Sequence, residues 1–310
     1  MKIIAIVVTY KGEKWIDKCL DSLLYSTVPV QVLVIDNASG DNTVNLIRQK
    51  YPTVEIIETS ANLGFGKANN IGLKKALEQG ADYVFLLNQD AWVEKDCIEK
   101  LVGVADVNKG YGIISPFHYN YDGSAPEKYF NDWVIGHYTA GYTNDLHLKQ
   151  VKRLYPSAFI HAAAWLLPVS TIKKVGGFDP LFFHTGEDND YVQRLFVKHL
   201  KIGFVPAALV YHEGTNEGLV NPAENITFKI NQALLKFKNP QASLKGALLL
   251  FFKSSFRSMG AAFVSAKFAD LKIEGKVFWL NLRRLKKISA SKKLQISDGA
   301  YLKPFQQTIA

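Results

Sequence analysis

Cysteine is nearly absent from this chain of 310 residues: Cys19 and Cys97 are the only two. Two isolated thiols supply neither a disulfide framework nor a metal-ligand cluster, which fits a reducing compartment. Long apolar runs are also missing. Ile3 to Val8 is apolar but gives way at once to Thr9-Tyr10-Lys11-Gly12. With no long apolar region and no small-residue cleavage site, it reads as a buried first strand and not as a signal peptide. No stretch of about 18 uncharged apolar residues occurs, so no membrane-spanning helix is expected. Nor is there a G-x-x-x-x-G-K-[ST] phosphate loop. Gly64-Phe65-Gly66 lacks the third glycine of a dinucleotide fingerprint, since Asn69 stands in its place. A G-x-S-x-G nucleophile elbow, internal repeats and low-complexity tracts are absent too.

What is present is unevenly charged. The net charge is +9. Residues 236–310 hold 15 Lys and Arg against Asp270, Glu274 and Asp298, whereas residues 1–235 carry a net charge of −3. The shift places a boundary near Asn239-Pro240, between a domain of residues 1–239 and a basic region of residues 240–310.

The first 120 residues alternate strand and helix patterns. Apolar, β-branched runs fall at Ile3–Val8, Val30–Ile35, Val54–Ile57, Tyr83–Leu87 and Gly112–Ser115. Between them, Trp15, Ile16, Cys19, Leu20, Leu23 and Leu24 form one helical stripe. A shorter helix follows, opened by Ser39 or Asp41, and Ala68 to Gln79 reads as a third. The alternation predicts an α/β fold with a mostly parallel central sheet and helices on both faces. Ligands of such sheets bind beyond the carboxyl ends of the strands. Thr9-Tyr10, Asp36-Asn37, Asn62 to Gly66 and Asn88-Gln89-Asp90 stand there. Residues 118–158 lack a clear period and read as a loop-rich insertion.

Three groups invite chemistry. Asp90 closes an apolar strand, where a carboxylate can hold a hard divalent cation or simply cap a turn. Glu187, Asp188 and Asp190 crowd three carboxylates at a helix start. Capping explains some of them, and Arg194 can pair with Asp190 one turn on. That leaves Glu187 and Asp188, whose crowding raises carboxyl basicity as a general base requires. His212 follows a strand-like run; a lone histidine is more often structural, yet imidazole is a common ligand for borderline metals.

In order and spacing, Val7-Val8-Thr9-Tyr10, Val34 to Asp41, Asn62 to Gly72, Leu86 to Ala91, Val175 to Asp179 with Phe182-Phe183, and Gly186 to Asp190 resemble glycosyltransferase family 2. The likeness spans roughly residues 1–215. Within that family it is most similar to rhamnosyltransferase-type enzymes of bacterial surface polysaccharides. The resemblance implies a GT-A, Rossmann-like fold and an inverting transfer of a sugar from a nucleotide-diphosphate donor, dTDP-rhamnose for instance, to a glycan or lipid-linked acceptor. It places Thr9, Tyr10, Asp36, Asn37, Asn62, Gly64, Lys67, Asn69, Asn88 and Gln89 around the donor. Asp90 and His212 would hold Mn²⁺ or Mg²⁺, Asp188 with Glu187 beside it would be the base, and Trp165 and Asp190 would meet the acceptor. One departure stands out: Asn88 occupies the first position of the family's D-x-D motif and brings no charge. It leaves an alternative, a nucleotide-sugar-binding scaffold that has lost turnover.

The basic region reads as amphipathic helices, with Leu248–Phe252 and Val277–Leu282 set among Lys and Arg. Such helices lie on anionic membrane surfaces, which would make the protein peripheral at the cytoplasmic face of the membrane. They can equally pack on the catalytic domain or on a second copy as a homodimer. No nucleic-acid-binding motif accompanies the charge.

Overall fold

The computed structural model describes residues 1–214 and 226–302; the last residues of the expected basic region, 303–310, lie outside them. Strand β1 (Ile3–Thr9) is buried along almost its whole length. It alternates faces: Ile3, Ala5 and Val7 enter one hydrophobic core, Ile4 and Ile6 the other. This two-sided burial is why the run is continuously apolar and not alternating. Helix α1 (Ile16–Leu24) covers the first face with Ile16, Cys19, Leu20 and Leu23. Leu24, expected in the same stripe, is exposed, because it falls past the edge of the buried arc.

The remaining elements of this half are β2 (Val30–Asp36), α2 (Thr43–Lys50), β3 (Glu55–Glu58), α3 (Phe65–Glu78), β4 (Tyr83–Asn88), β5 (Ala91–Val93) and α4 (Cys97–Ala105). Helix α3 begins three residues before the expected Ala68. Gly64 opens it at φ 82°, and Gly72 lets it settle against Ile6 of β1, where an added Cβ would lie 2.7 Å from Cγ2. Beyond come β6 (Tyr111–Asn120), a π-helix (Phe130–Tyr138), α5 (Tyr142–His147), β7 (Tyr155–Ser157), β8 (Ala164–Pro168), α6 (Val169–Val175), α7 (Glu187–Val197) and β9 (Lys201–His212). The insertion expected to be mostly loop therefore contains regular structure. Its aromatics supply the order: Phe117, Phe130, Tyr142, Tyr155 and Phe204 pack ring against ring.

Among the described residues the sheet has nine strands, in the order β3-β2-β1-β4-β8-β6-β9-β5 with β7 on β9. β3, β2, β1 and β4 run parallel, as do β6 and β9. β8 is inserted antiparallel between β4 and β6.

Four helices follow: α8 (Ile226–Lys238), α9 (Leu244–Val264), α10 (Phe268–Arg283) and α11 (Leu285–Leu294). A third core joins them to the α/β body. In it Phe182 packs with Leu234, Leu235 and Phe237 of α8, Ala247 and Phe251 of α9, and Ile288 of α11. Helix α8 thus shares this core with the helices beyond Asn239-Pro240. By length and composition alone α9 could cross a membrane, with 22% of its apolar window buried inside the fold; it carries Lys245, Lys253 and Arg257, so no uncharged apolar stretch of about 18 residues occurs in it.

Candidate active site

The parallel register aligns the strand ends: Thr9 lies opposite Asp36, and Val8 opposite Asn88. At the β2 end, Asp36 is buried and fully engaged. It accepts from Thr9 Oγ1 (3.0 Å), Ser39 N (3.1 Å) and the Ser39 hydroxyl. These bonds shape the β2–α2 loop, where Ala38 takes φ 62°. Asp36, Ser39, Asp41, Arg48, Glu58 and Thr59 line an open cavity of about 370 Å³ at this end of the sheet. Asn37 and Asn62 bind each other side chain to side chain (3.0 Å) and fix the Leu63 and Gly64 amides. Gln89 exchanges two hydrogen bonds with the main chain of Tyr10 (2.9 and 3.0 Å), tying the β1 and β4 ends together. Tyr10 and Lys67 are exposed beside these loops.

Asp90 and His212 meet at the β4 end because β5 pairs with the end of β9, Ala91 against His212. His212 Nε2 stands 3.5 Å from Asp90 Oδ1 and 3.4 Å from Asn88 Nδ2. Its Nδ1 faces Glu127 Oε1 at 3.3 Å. Burial opposes charge on His212, but the hydrogen bonds it donates to Asp90 and Glu127 outweigh it and raise its pKa to about 10. Burial likewise works against the Asp90 carboxylate, and His212 more than compensates, so its pKa is lowered. Asn88 Oδ1 is buried without a hydrogen-bond partner. A half-turn of the amide would offer that oxygen to His212 or to a cation as a neutral ligand.

Glu127 continues the network. Its Oε2 lies 3.2 Å from His161 Nε2 and 3.8 Å from His118 Nδ1. A chain of ionisable side chains therefore runs from Asp90 through His212 and Glu127 to His161.

Helix α7 presents Glu187 and Asp188 from a strained turn. Thr185 at φ 67° precedes Gly186 at φ 91°, and a β-branched residue seldom adopts that region. Asn231 of α8 holds the turn by donating to the carbonyls of His184 (2.8 Å) and Thr185 (2.9 Å). Glycines let α3 approach from the other side: a Cβ on Gly64 would strike the Phe183 carbonyl at 2.0 Å, and one on Gly66 would press Phe178 at 2.9 Å. Asp188 Oδ1 accepts from the Asn189 amide (2.7 Å); among the described residues no hydrogen bond reaches Oδ2. Burial raises the pKa of Asp188 above the ordinary carboxyl value. Glu187, its Oε2 buried and unpartnered, is pushed up to about 7 by burial and by Asp188.

Three of the expected contacts point away from this cleft. Trp165 is fully buried on the core face of β8, against Phe178 and Tyr191. An acceptor cannot reach it. Asp190 is 1% exposed and bound to Arg194 Nε at 2.8 Å; the helical period turns it inward while Asp188 faces out. Asn69 is buried and donates back to the Phe65 carbonyl of its own helix (3.1 Å). Conversely, Glu127, His118, His161 and Asn231 escaped the sequence reading. His118 within an apolar strand pattern was a signal; Glu127, isolated in an aperiodic segment, gave none.

The glycosyl transferase family 2 model matches residues 4–175. The N-acetylglucosaminyl-diphospho-decaprenol L-rhamnosyltransferase of Mycobacterium tuberculosis is 28% identical over 245 residues, covering 71% of this chain and 79% of that protein. The dTDP-rhamnosyl transferase RfbF of Shigella flexneri is 24% identical, with 68% of each chain covered. Among solved structures, the mannosyltransferase PcManGT from Pyrobaculum calidifontis, in complex with GDP-Man and Mn²⁺, superposes with a TM-score of 0.54. It is 17% identical and covers 94% of this chain and 87% of its own. The order of strands, the residues gathered at their carboxyl ends and the extent of the family match lead to one assignment: the chain is a glycosyltransferase of family 2, with the GT-A fold.

Proposed function

We propose that the protein transfers L-rhamnose, with inversion, from dTDP-rhamnose to a hydroxyl of a lipid-linked glycan in bacterial surface-polysaccharide synthesis. The two rhamnosyltransferase relatives support the donor, and the mycobacterial one supports a lipid-linked acceptor. The observation that carries the reading is Asp188: anchored through one oxygen, free at the other and raised in basicity.

The nucleoside binds at the Asp36 cavity, and the diphosphate at the β4 end. Asp90 and His212 would hold a divalent cation there, with the Asn88 amide oxygen, once turned, as a neutral third group. The donor set fits: one carboxylate, one imidazole and a buried amide oxygen with no other partner. When bound, the cation supplies positive charge against the leaving diphosphate. Asp188 Oδ2 takes the proton of the acceptor hydroxyl as its oxygen bonds to the anomeric carbon, and the bond to the diphosphate breaks on the opposite face. A single displacement inverts the centre. Glu187, protonated below about 7, keeps a second negative charge away from the base.

The exposed faces of helices α9 and α10 support a peripheral position at the inner face of a membrane. Leu249, Leu250, Phe256, Phe263, Phe268 and Trp279 are exposed there, interleaved with exposed Lys253, Arg257, Lys267, Lys272 and Lys276. That is the composition of an interfacial anchor.

The test is thermal stabilisation by dTDP-rhamnose and UDP-sugars with and without Mn²⁺, followed by a transfer assay on a polyprenyl-diphosphate-linked acceptor. A metal-dependent shift with dTDP-rhamnose, lost in Asp90→Ala, is expected. Preference for a UDP-sugar would overturn the donor; an Asp90→Ala variant that binds as tightly with Mn²⁺ as the parent would overturn the cation site.

A further inference from the structure

Three potential ligand side chains converge behind the Asp90–His212 pair. One ligand atom from each of His118, Glu127 and His161 lies within 4.8 Å of those of the other two; Glu127 Oε2 is 3.2 Å from His161 Nε2 and 3.8 Å from His118 Nδ1, and His118 Nδ1 is buried without a hydrogen-bond partner. His118 is wholly buried. Its other nitrogen, Nε2, is 2.9 Å from Ser115 Oγ, and that hydroxyl lies 2.9 Å from the Ala164 carbonyl. A hydroxyl has one proton. Donated to Ala164, it leaves Ser115 Oγ to accept from His118 Nε2–H, and in that tautomer the Nδ1 lone pair faces Glu127. A lone pair thus confronts a carboxylate oxygen at 3.8 Å in a buried place. A cation between them removes the conflict.

We propose that His118, Glu127 and His161 form a second cation site, which takes a transition-metal ion of the zinc class. Two imidazoles and one carboxylate are a recurrent zinc set, leaving a fourth position open. Metal bonds of about 2.0–2.2 Å place tetrahedral ligands roughly 3.2–3.6 Å apart, and the observed separations are 3.2 and 3.8 Å. Ser115 orients its ligand from behind, as outer partners of metal-bound histidine do. The ion ties the end of β6, the Glu127 loop and the segment before β8 beneath the cleft. Through Glu127 Oε1 it also stiffens His212.

The test uses the full chain stripped with a chelator and titrated with Zn²⁺ alone, without nucleotide, against a chromophoric competitor. We expect one Zn²⁺ per chain, kept in Asp90→Asn and weakened at least about tenfold in His161→Gln. Zn²⁺ raises the melting temperature of the parent and of Asp90→Asn, but not of His161→Gln. Co²⁺ gives the intense visible bands of a four-coordinate ion. His161→Cys, which keeps a zinc ligand, restores binding and adds a sulfur-to-cobalt charge-transfer band; this variant decides the matter if His161→Gln folds poorly. No stoichiometric Zn²⁺ in the parent overturns the proposal. So does Zn²⁺ that is lost in Asp90→Asn and kept in His161→Gln, which would place the ion at the diphosphate end. Neither result touches the Mn²⁺ dependence of donor binding, so the two readings fail separately.

Discussion

Helix α7 carries two carboxylates two residues apart, in opposite surroundings. Asp190 belongs to a buried cluster in which every charge is met. Arg194 binds it and also donates to the carbonyls of Val175 (2.8 Å) and Gly177 (2.7 Å), and beside them Lys238 pairs with Asp179 (2.9 Å) and reaches Ser291 and Tyr301. Asp188 lies on the side of the site that keeps unmet groups: Asn88 Oδ1, Glu187 Oε2 and His118 Nδ1. An unpaired buried polar group costs stability, so a region that keeps several of them is arranged for something other than folding. Charge density does not separate the two clusters; completeness of partners does.

The sharpest test is to disable one member of each. Asp188→Asn should lower kcat by about 10²–10⁴-fold, the usual share of a general base, with melting temperature and donor affinity nearly unchanged. Asp190→Ala should do the reverse. It leaves Arg194 buried and uncompensated, which typically costs about 3–5 kcal/mol, read as a fall in the denaturation midpoint, while kcat per folded molecule is largely kept. If Asp190→Ala abolishes transfer in a fully folded protein, or Asp188→Asn unfolds it, the distinction collapses.

Glu187 sits between the two clusters and sharpens the contrast through pH. Its pKa in the folded chain, about 7, lies above the ordinary 4.5. Its contribution to stability is therefore complete below about 4.5 and is lost as pH rises through 7. At about 1.4 kcal/mol per unit, the loss is on the order of 3 kcal/mol. Glu187→Gln lacks this loss, so its urea midpoint should gain on the parent's between pH 5 and 8. Parallel pH profiles for parent and variant would show that the carboxyl is charged at neutral pH after all.

The sequence disclosed what depends on local period and missed what depends on approach in space. β1, β2 and β4 were legible because burial on both faces makes a strand apolar throughout, and their parallel register puts Asp36 and Asn88 on either side of the β1 end. The antiparallel insertion of β8 was not legible, since an apolar run carries no direction. Asp188 and Asp190 could not be told apart by composition; the pairing of Arg194 with Asp190, four residues on, was the one local clue. Trp165 fell in the core because its place on β8 is set by pairing with Leu86 across the sheet. Glu127 was invisible for the same reason, as its partners come from β6, β9 and the segment before β8. It deserves a smaller test: Glu127→Gln should weaken Mn²⁺-dependent donor binding by about 10–100-fold, the usual effect of losing a carboxylate behind a metal-bound histidine, and leave metal-free nucleotide binding alone. Equal losses with and without Mn²⁺ would assign Glu127 to the nucleotide pocket instead.

The helical appendage repeats the comparison on a larger scale. Its two ends are satisfied: Asn231 and Lys238 of α8 bind the body, and Gly177 N donates to the Ala300 carbonyl (2.8 Å). Its middle is not, because α9 and α10 expose phenylalanines, a tryptophan and lysines together. By the same reasoning the ends are structural and the middle faces a partner. If that partner is an anionic bilayer, each lysine near its surface contributes about 1 kcal/mol. Lys267→Ala and Lys272→Ala should then each weaken binding to phosphatidylglycerol vesicles about fivefold at low salt, and barely affect phosphatidylcholine vesicles. Melting temperature should stay constant, because neither side chain is buried. Light scattering supplies the opposing result. If the chain is a dimer in solution, binds neither vesicle and becomes monomeric on Phe256→Glu, then a second copy covers this face, and the membrane is reached some other way.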